Sequence, residues 1–287
     1  MAETYNNLYL DTRRALKANG VEAASLEAME LVAGAAGVRR SQLQRDLQLY
    51  AGSQVERRLA EMIGRRLTGE PLPYVIGEWE FYGLTLEITP DVLIPRPDTE
   101  TLAEAAIRLA REAGPGARVL DLCAGSGCIG LAVAAHAPQC RVVLADLSEP
   151  ALQICRRNIR RCQLASRVTF LAADARQAPS AFLGNFDLIA CNPPYIPSGE
   201  IPELDASVRD YEPLMALDGG DDGLDFYRDI TAKWRRALKP GGALLFEVGM
   251  GQAQDVADLL RSPEYEDITI LPDARDIDRV VLAKVKP

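Results

Sequence analysis

The sequence contains a single histidine, His136, and no Cys-x-x-Cys pair among its six cysteines. Structural zinc sites need four cysteine or histidine ligands at short spacings, so we expect no metal site in this chain. Unpaired and mostly buried thiols are typical of proteins from a reducing compartment. His136 stands at the end of a predicted helix, before Ala137-Pro138, and we expect it at the surface and outside catalysis.

Long apolar runs and a surplus of basic residues are also missing. No stretch is long enough to span a bilayer, and Met1-Ala2-Glu3-Thr4 lacks the basic-then-apolar layout of a signal peptide. We therefore expect a cytoplasmic protein that has no membrane partner. The formal net charge of -9 and the pI near 4.9 disfavour a broad grip on nucleic acid phosphates, which needs clustered lysine and arginine.

Three regions of different character follow one another along the 287 residues. Residues 1–73 have apolar positions at helical spacing only and predict a small helical domain, in which Ser41 caps one helix and Ser53 opens another through a capping box. Residues 74–97 predict a β-hairpin linker, and residues 98–287 a second, larger domain. Predicted helix stops in the first region are Asn19-Gly20, Gly37 and Gly69-Glu70-Pro71.

Strand and helix patterns alternate from residue 117 onward, which indicates a parallel sheet with helices on both faces. The last two predicted strands have no helix-length connection between them, so one of them should run antiparallel. The predicted strands cover residues 118–122, 141–145, 168–172, 186–191, 243–248, 268–271 and 279–283.

The segment Asn192-Pro193-Pro194-Tyr195 follows one of these strands directly. Each proline fixes its own φ, lacks an N–H and pushes the preceding residue into an extended conformation, so the segment predicts a stiff elbow. The Asn192 side-chain oxygen and the Pro193 carbonyl are then free to accept both hydrogens of a planar –NH2 group, and Tyr195 would supply a flat apolar wall. Asn-Pro also begins ordinary turns, but a glycine-rich loop earlier in the chain favours the functional interpretation.

That glycine-rich loop, Asp121-Leu122-Cys123-Ala124-Gly125-Ser126-Gly127, lies between the first predicted strand and its helix. Its glycines permit a tight turn and a close approach to a ligand, although any tight strand-to-helix turn can use the same pair. Two acids strengthen the functional interpretation. Asp146 ends the second strand and suits ribose hydroxyls, and Asp174 follows the third and suits, with Ala175, the edge of an adenine ring.

The charge around the loop separates two classes of nucleotide cofactor. Gly125, Gly127 and Gly130 have the Gly-x-Gly-x-x-Gly spacing of dinucleotide sites, which hold a pyrophosphate at a helix N-terminus. The acids favour a cation instead, and S-adenosyl-L-methionine carries a sulfonium and an ammonium group but no phosphate. Asn192 would then face the sulfonium methyl group at the carboxyl ends of the strands. Predicted cofactor-binding residues are Asp121, Cys123, Ala124, Gly125, Ser126, Gly127, Asp146, Asp174, Ala175 and Asn192.

Taken together, these motifs resemble the glutamine-N5 methyltransferases that modify class I peptide chain release factors, the HemK or PrmC family. Asn-Pro-Pro-Tyr is shared with enzymes that methylate amino groups of DNA and RNA. The Pro-Arg-Pro-Asp-Thr-Glu segment and the helical N-terminal region are more specific to the family. The resemblance rests on residues 69–77, 93–100, 121–130, Asp146, 192–195, 211–213, 217–220, 223–227 and 278–281.

The resemblance implies a seven-stranded, Rossmann-like class I methyltransferase fold whose helical N-terminal domain helps to dock the release factor. It implies methyl transfer from S-adenosyl-L-methionine to the glutamine of a Gly-Gly-Gln tripeptide. Arg96 and Glu100 either pair with each other or edge the pocket. Predicted substrate-binding residues are Asn192, Pro193, Pro194, Tyr195, Arg96 and Glu100, with Asn192, Pro193 and Tyr195 as the catalytic set.

Two departures from the family pattern and three rival functions stay open at this point. Cys123 replaces the first loop glycine of many methyltransferases, and residues 273–278 lack a glycine that is frequent there. The rivals are glutamine methylation of a ribosomal protein, adenine-N6 methylation of nucleic acid, and non-catalytic sensing of the cofactor. The segment from Pro95 to Glu100 favours the release-factor branch, and the acidic pI argues against a direct nucleic acid substrate.

Overall fold

The computed structural model of the protein describes residues 3–286. The chain forms two compact units. The first unit contains the residues up to Glu78 together with Asp205–Tyr211, and the second contains Trp79–Leu204 and the residues from Glu212 onward. The second unit carries the sheet and all of the motifs singled out above from residue 93 onward, apart from Tyr211.

Helices and strands succeed each other in the order that the sequence pattern predicts. The helices are α1 (Tyr5–Ala18), α2 (Ala24–Ala36), α3 (Arg40–Asp46), α4 (Ser53–Leu67), α5 (Leu72–Ile76), α6 (Thr99–Glu112), α7 (Cys128–His136), α8 (Glu149–Arg161), α9 (Ala206–Arg209), α10 (Asp225–Lys233) and α11 (Ala253–Leu260). The strands are β1 (Glu78–Phe81), β2 (Leu84–Glu87), β3 (Arg118–Leu122), β4 (Arg141–Asp146), β5 (Val168–Ala172), β6 (Phe186–Cys191), β7 (Leu238–Glu247), β8 (Tyr265–Pro272) and β9 (Asp278–Val285).

Helices α1 to α5 and the short α9 form the first unit. The predicted stops at Asn19 and Gly37 are confirmed, and Gly37 ends α2 in the left-handed conformation that glycine tolerates best. The fourth helix begins at Ser53 as predicted, but the capping roles predicted for Ser41 and Ser53 are wrong. Ser41 lies inside α3, and Ser53 is already helical after Gly52, without a capping hydrogen bond, while the Glu56 side chain accepts from the backbone of Glu3 instead.

The predicted hairpin region begins later than the sequence suggests. Residues Leu72–Ile76 form the one-turn helix α5, whereas the pattern had assigned Val75-Ile76 to a strand. A short apolar run does not distinguish a buried helical turn from a strand, and Pro71 and Pro73 favour the start of a helix here. The hairpin itself consists of β1 and β2 around Tyr82-Gly83, and both turn residues have positive φ.

The sheet of the second unit has seven strands in the order β5-β4-β3-β6-β7-β9-β8. Strands β3 to β7 pair in parallel, and β9 runs antiparallel to both β7 and β8, which confirms the expected reversal near the end of the chain. Parallel strands need crossover connections, and helices α7, α8 and α10 supply them. This is the class I methyltransferase fold that the resemblance implies.

The strand register brings the carboxyl ends of the central strands to one level. Leu122 of β3 pairs with Cys191 of β6, and Cys191 pairs in turn with Phe246 of β7. Asp146 closes β4 beside Ala172 of β5. The residues that follow these positions therefore meet along one edge of the sheet, which is where open α/β sheets bind ligands.

Two buried aromatic side chains fix the backbone close to this edge. The Trp234 indole N–H donates to the Ala175 carbonyl at 2.8 Å, and the Tyr227 hydroxyl donates to the Glu247 carbonyl at 2.9 Å. Both rings are fully buried, and Tyr227 packs edge-on against Phe246 at 5.2 Å between ring centroids. Full burial of a side chain such as Phe246 contributes about 1.5–3 kcal/mol to stability, so the hydrophobic core holds the edge in place.

Across the described residues, no helix is long and apolar enough to cross a membrane. The six cysteines are all unpaired thiols, and four of them are buried. His136 is the last residue of α7, and its exposed ring stands edge-on to Tyr82 at 5.0 Å.

Candidate active site

A cleft of about 210 Å³ opens at the carboxyl ends of the central strands, within the second unit. This edge is where open α/β sheets bind their ligands. Most of the residues predicted for the site share this cleft. Those in its lining are Arg96, Cys123, Ala124, Gly125, Ser126, Asp146, Asp174, Ala175, Asn192 and Pro194. Those outside it are Glu100, Asp121, Gly127, Pro193 and Tyr195.

Asp146 connects the end of β4 to the glycine-rich loop. One of its carboxylate oxygens accepts from the Gly125 N–H at 2.8 Å, and the other accepts from the Ser148 N–H at 2.8 Å. Burial raises the pKa of this carboxyl group, and the backbone N–H groups of Gly125, Ser148 and Leu147 oppose that rise. Two backbone anchors leave the carboxylate rigid, with its remaining lone pairs available to a hydroxyl donor in the cleft.

The loop itself turns on three left-handed residues. Cys123 has a φ of 61°, Gly125 a φ of 54° and Gly127 a φ of 81°. Cys123 stands where many methyltransferases have glycine, and its backbone has the positive φ that glycine adopts easily. A residue with a side chain adopts this conformation at some cost in energy. A Cβ atom on Gly125 would meet nothing within 4 Å, so the space beside this glycine is open to a ligand.

Asp121, Gly127 and Gly130 of the motif do not line the cleft. Asp121 is fully buried and accepts from the Gly130 N–H at 2.8 Å, and burial raises its pKa to about 8. A Cβ on Gly127 would lie 2.8 Å from a Leu144 methyl, and one on Gly130 only 2.3 Å from the other. The cofactor contacts expected of Asp121 and Gly127 stay predictions. In the structure Asp121 joins β3 to the first turn of α7, and Gly127 packs closely against Leu144 of β4.

The far wall of the cleft combines Asp174 and Ala175 with two residues that the sequence analysis missed. Asp174 accepts from the Arg176 N–H at 2.8 Å, and Ala175 is anchored through Trp234. The Arg176 guanidinium lies 5.6 Å from the centroid of the Phe226 ring, which lines the cleft. An aromatic ring beside a carboxylate suits a flat heterocycle with an exocyclic amino group.

Charge in the cleft favours a cationic ligand. Arg96 forms an ion pair with Glu212, and Arg176 pairs with Asp225 and Asp229 at 3.3 and 2.9 Å. Between residues 3 and 286, no lysine or arginine forms an ion pair with Asp146 or Asp174. Asp146 and Asp174 therefore form no salt bridge, which fits a sulfonium and an ammonium group better than a pyrophosphate.

The elbow after β6 presents Asn192 to the cleft. The Asn192 amide nitrogen donates to the Thr99 hydroxyl at 3.5 Å, a long contact. No group in the described chain donates to the Asn192 side-chain oxygen or to the Pro193 carbonyl, as the sequence predicted. Pro194 lines the cleft as well, and the neighbouring Pro193 is buried.

Tyr195 does not form the apolar wall that was expected of it. Its ring is half-buried against the core, and its carbonyl accepts from the Gln252 amide at 2.9 Å. Burial raises the pKa of its hydroxyl to about 12, so the phenol is neutral. Apolar residues from two other segments line the cleft instead. They are Val92, Leu93 and Pro95 before α6, and Pro213, Met215 and Ala216, which come shortly after Asp205–Tyr211, the stretch that belongs to the first unit.

The structure separates Arg96 from Glu100, which the sequence left either paired or together at a pocket. Glu100 accepts from the backbone N–H of Tyr82 at 2.9 Å and anchors the hairpin. Arg96 pairs with Glu212, whose nearly buried carboxylate also accepts from the Ile94 N–H at 3.2 Å. Glu212 thus fixes the cleft segment 94–96. The Tyr-Glu-Pro motif at 211–213 had pointed to this residue without indicating its role.

Comparisons with known proteins agree with this geometry. The family model described as "PrmC N-terminal domain" matches residues 7–77, and that described as "Methyltransferase small domain" matches residues 101–203. A release factor glutamine methyltransferase of Geobacter sulfurreducens is 40% identical over 96% of this chain and 94% of its own. One of Moorella thermoacetica is 41% identical over 94% of each chain.

Among solved structures, the hMettl16 catalytic domain in complex with a 3′UTR hairpin matches with a TM-score of 0.57. The match covers 83% of this chain and 84% of that one at 15% sequence identity. At that identity the likeness shows the fold alone.

Proposed function

The chain belongs to the release factor glutamine methyltransferase family, and we propose that its cleft methylates the side-chain amide nitrogen of the glutamine in the Gly-Gly-Gln motif of class I peptide chain release factors. The observation that carries this proposal is the pair of unoccupied acceptors on the elbow, the Asn192 side-chain oxygen and the Pro193 carbonyl. A primary carboxamide has two N–H donors on one nitrogen, and this pair can accept both.

S-adenosyl-L-methionine is the methyl donor, and when bound it supplies an electrophilic methyl carbon on a sulfonium centre. Asp146 would accept from its ribose hydroxyls, and Asp174 with the backbone at Ala175 would meet the adenine edge beside Phe226. The open backbone at Gly125 allows close approach of the methionine portion. Asp146 and Asp174, which form no salt bridge, supply negative potential for its two cationic groups.

Asn192 and Pro193 act on the nitrogen that receives the methyl group. An amide nitrogen is a poor nucleophile because its lone pair is delocalised into the carbonyl. As the new N–C bond forms and the C–S bond breaks, the electron pair of the latter leaves with sulfur and the nitrogen gains positive charge. The two N–H···O hydrogen bonds strengthen at that point, so they stabilise the transition state more than the ground state.

Alignment of nitrogen, methyl carbon and sulfur provides the larger part of the acceleration. Each neutral hydrogen bond contributes only about 0.5–1.5 kcal/mol, whereas good orientation can contribute roughly 7–11 kcal/mol. The prolines of the elbow and the Glu212 anchor of segment 94–96 provide the required rigidity on two sides of the cleft. The methylated nitrogen then releases one proton to water, and no strong base is needed.

The partner is the release factor itself, and the first unit is the part of the chain that we assign to docking it. Leu49 and Tyr50 lie side by side in this unit and are 57% and 72% exposed. Adjacent exposed apolar side chains of this size are typical of a protein-binding surface.

The test is methyl incorporation from labelled S-adenosyl-L-methionine into purified release factor, ribosomal protein and DNA in parallel. We expect label only in the release factor, and only on the glutamine of Gly-Gly-Gln. Label in the ribosomal protein or in adenine would transfer the assignment to that rival function. A cofactor that binds while nothing is labelled would make the protein a sensor.

A further inference from the structure

A buried carboxylate stands directly behind Asn192, and the reaction proposed above does not use it. Glu247 is the last residue of β7 and is only 2% exposed. The register that pairs Cys191 with Phe246 puts Asn192 and Glu247 side by side where their strands end. Thr99 and Asn192 line the cleft but Glu247 does not, so it forms a layer beneath them.

The position of Glu247 is well determined by its surroundings. Its carbonyl accepts from the Tyr227 hydroxyl at 2.9 Å, and the side chains of Thr99 and Asn192 lie close enough to its carboxylate to lower its pKa. One carboxylate oxygen, Oε2, is buried and has no partner among residues 3–286. A nine-tenths buried acid with a free oxygen is costly, so a purely structural role explains it poorly.

A carboxylate in this position removes an ambiguity in the Asn192 side chain. The two ends of a carboxamide have nearly the same shape, but one donates and the other accepts. An ionised carboxylate only accepts hydrogen bonds and therefore holds the Asn192 nitrogen, with the Thr99 hydroxyl as a second acceptor at 3.5 Å. The Asn192 oxygen is then left facing the cleft. A neutral group at residue 247 could donate to that oxygen and turn the amide around.

We propose that Glu247, together with Thr99, is a positioning residue that fixes the Asn192 carboxamide with its oxygen toward the substrate amide. This inference rests on the proposed function for its catalytic consequence, but not for the orientation itself. An inverted Asn192 would present two donors to the two donors of the glutamine –NH2 group. Such a pairing is repulsive and would remove one of the two acceptors on which transfer depends.

Several charged or titratable groups face Glu247 from the elements packed around it. They are Arg279 on β9, Asp98 before α6, Tyr195 after β6, Tyr227 on α10 and Cys128 on α7. Burial raises the pKa of Glu247 to about 7, against the lowering effects of the Thr99 hydrogen bond, the Arg279 charge and the Asn192 hydrogen bond. Ionisation therefore takes place within the pH range in which an enzyme can be assayed.

The sign of the effect follows from that pKa. Above about pH 7 the carboxylate is ionised and holds the amide in the productive orientation. Below it, Glu247 becomes protonated and gains a donor, so kcat falls with decreasing pH. The raised pKa has the opposite consequence for stability, which decreases as pH rises between the ordinary value of 4.5 and about 7. Glu247→Gln removes the ionisation and has the same shape, so we expect it to fold.

The first experiment compares Glu247→Gln with Asp187→Asn, which removes a partly buried carboxylate at the opposite end of the neighbouring strand β6. We expect Glu247→Gln to lower kcat for the release factor about tenfold or more, the cost of about one misplaced hydrogen bond of 1.4 kcal/mol. Its KM, its affinity for S-adenosylhomocysteine and its melting temperature should stay near wild type, and its kcat should lose the dependence on pH near 7. Asp187→Asn should retain both kcat and its pH profile.

Thr99 variants refine the test, since Thr99→Ser keeps the hydroxyl and should lose less kcat than Thr99→Val. A Glu247→Gln variant with wild-type kcat and pH profile would overturn the proposal. So would a loss of kcat that is matched by lost cofactor affinity or folding, because that pattern is structural.

An NMR measurement separates this inference from the proposed function. The Asn192 side-chain 1H–15N pair, identified by its disappearance in Asn192→Ala, should shift with pH in wild type and stay constant in Glu247→Gln. A pair that does not titrate in wild type would contradict the inference whatever the substrate is. Titration in wild type without methylation of a release factor would retain the inference and reject the proposed function.

Discussion

The Asp146 carboxylate accepts a hydrogen bond from the backbone N–H of Gly125 at 2.8 Å. This contact joins the end of β4 to the turn after β3, so the residue assigned to the ribose also shapes the loop assigned to the methionine portion. The second oxygen is held in the same way by the Ser148 N–H at 2.8 Å. Cofactor affinity should therefore depend on Asp146 in two ways, through direct contact and through the loop.

Replacing Asp146 with alanine should weaken the binding of S-adenosylmethionine and S-adenosylhomocysteine. Charge-assisted hydrogen bonds contribute about 1.5–3 kcal/mol each, so we expect the Kd to rise at least about tenfold. Isothermal titration calorimetry with S-adenosylhomocysteine measures this directly. Asp187→Asn, far from the cleft, is the control, and an unchanged affinity in Asp146→Ala would remove Asp146 from the site.

Replacing Asn192 with alanine should abolish transfer while cofactor binding largely survives. The variant loses an acceptor whose hydrogen bond strengthens in the transition state, and removal of comparable groups costs about 10²–10³ in kcat. Single-turnover kinetics with a release factor and calorimetry with S-adenosylhomocysteine give the two readings. Methylation by Asn192→Ala at the normal rate would contradict the role given to this residue.

Replacing Gly130 with alanine should destabilise the second unit. Its Cβ would lie 2.3 Å from a Leu144 methyl and 3.0 Å from Asp121, and overpacking of this kind costs about 1–3 kcal/mol. Gly64, exposed in α4 with nothing within 4 Å of its own Cβ position, is the matched control. Alanine there should stabilise the helix by roughly 0.5–1 kcal/mol. Chemical denaturation of both variants tests the pair, and equal stabilities would contradict the packing argument.

Replacing Leu49 and Tyr50 with serine should raise the KM for an intact release factor by about tenfold, the effect of losing one interface contact of about 1.4 kcal/mol. The kcat, and turnover of a short Gly-Gly-Gln peptide, should stay unchanged, because the first unit would be needed for docking only. Phe182→Ser, at a fully exposed aromatic residue in the second unit, is the control. Equal KM values for the double variant and wild type would place the docking surface elsewhere.

The sheet and its order of elements could be predicted because their signals are local. Apolar runs such as 186–191 alternate with helical segments, and Pro193 and Pro194 restrict the chain through covalent geometry alone. Val75 and Ile76 belong to α5 and not to the predicted strand, because a few apolar residues satisfy both patterns. The capping roles predicted for Ser41 and Ser53 are wrong because capping depends on which residue first leaves the helical conformation.

Much of the site could not be predicted, because it depends on contacts between distant residues. Arg96 contacts Glu212, which lies 116 positions away in the sequence. The need for a glycine at position 130 comes from its close packing against Leu144. The letters Gly-x-Gly do not reveal which glycine faces a ligand and which faces a strand. Likewise, nothing in the sequence around Glu247 indicates that its carboxylate lies beneath Asn192, since only the register of β6 and β7 brings them together.

The most direct test of the account is a structure of the protein with S-adenosylhomocysteine and a release factor whose Gly-Gly-Gln glutamine occupies the cleft. We expect the glutamine amide nitrogen to donate to both the Asn192 side-chain oxygen and the Pro193 carbonyl, at about 2.9 Å each. The same nitrogen should lie in line with the cofactor sulfur. Either oxygen turned away from that nitrogen, or satisfied by another group of the protein, would contradict the account.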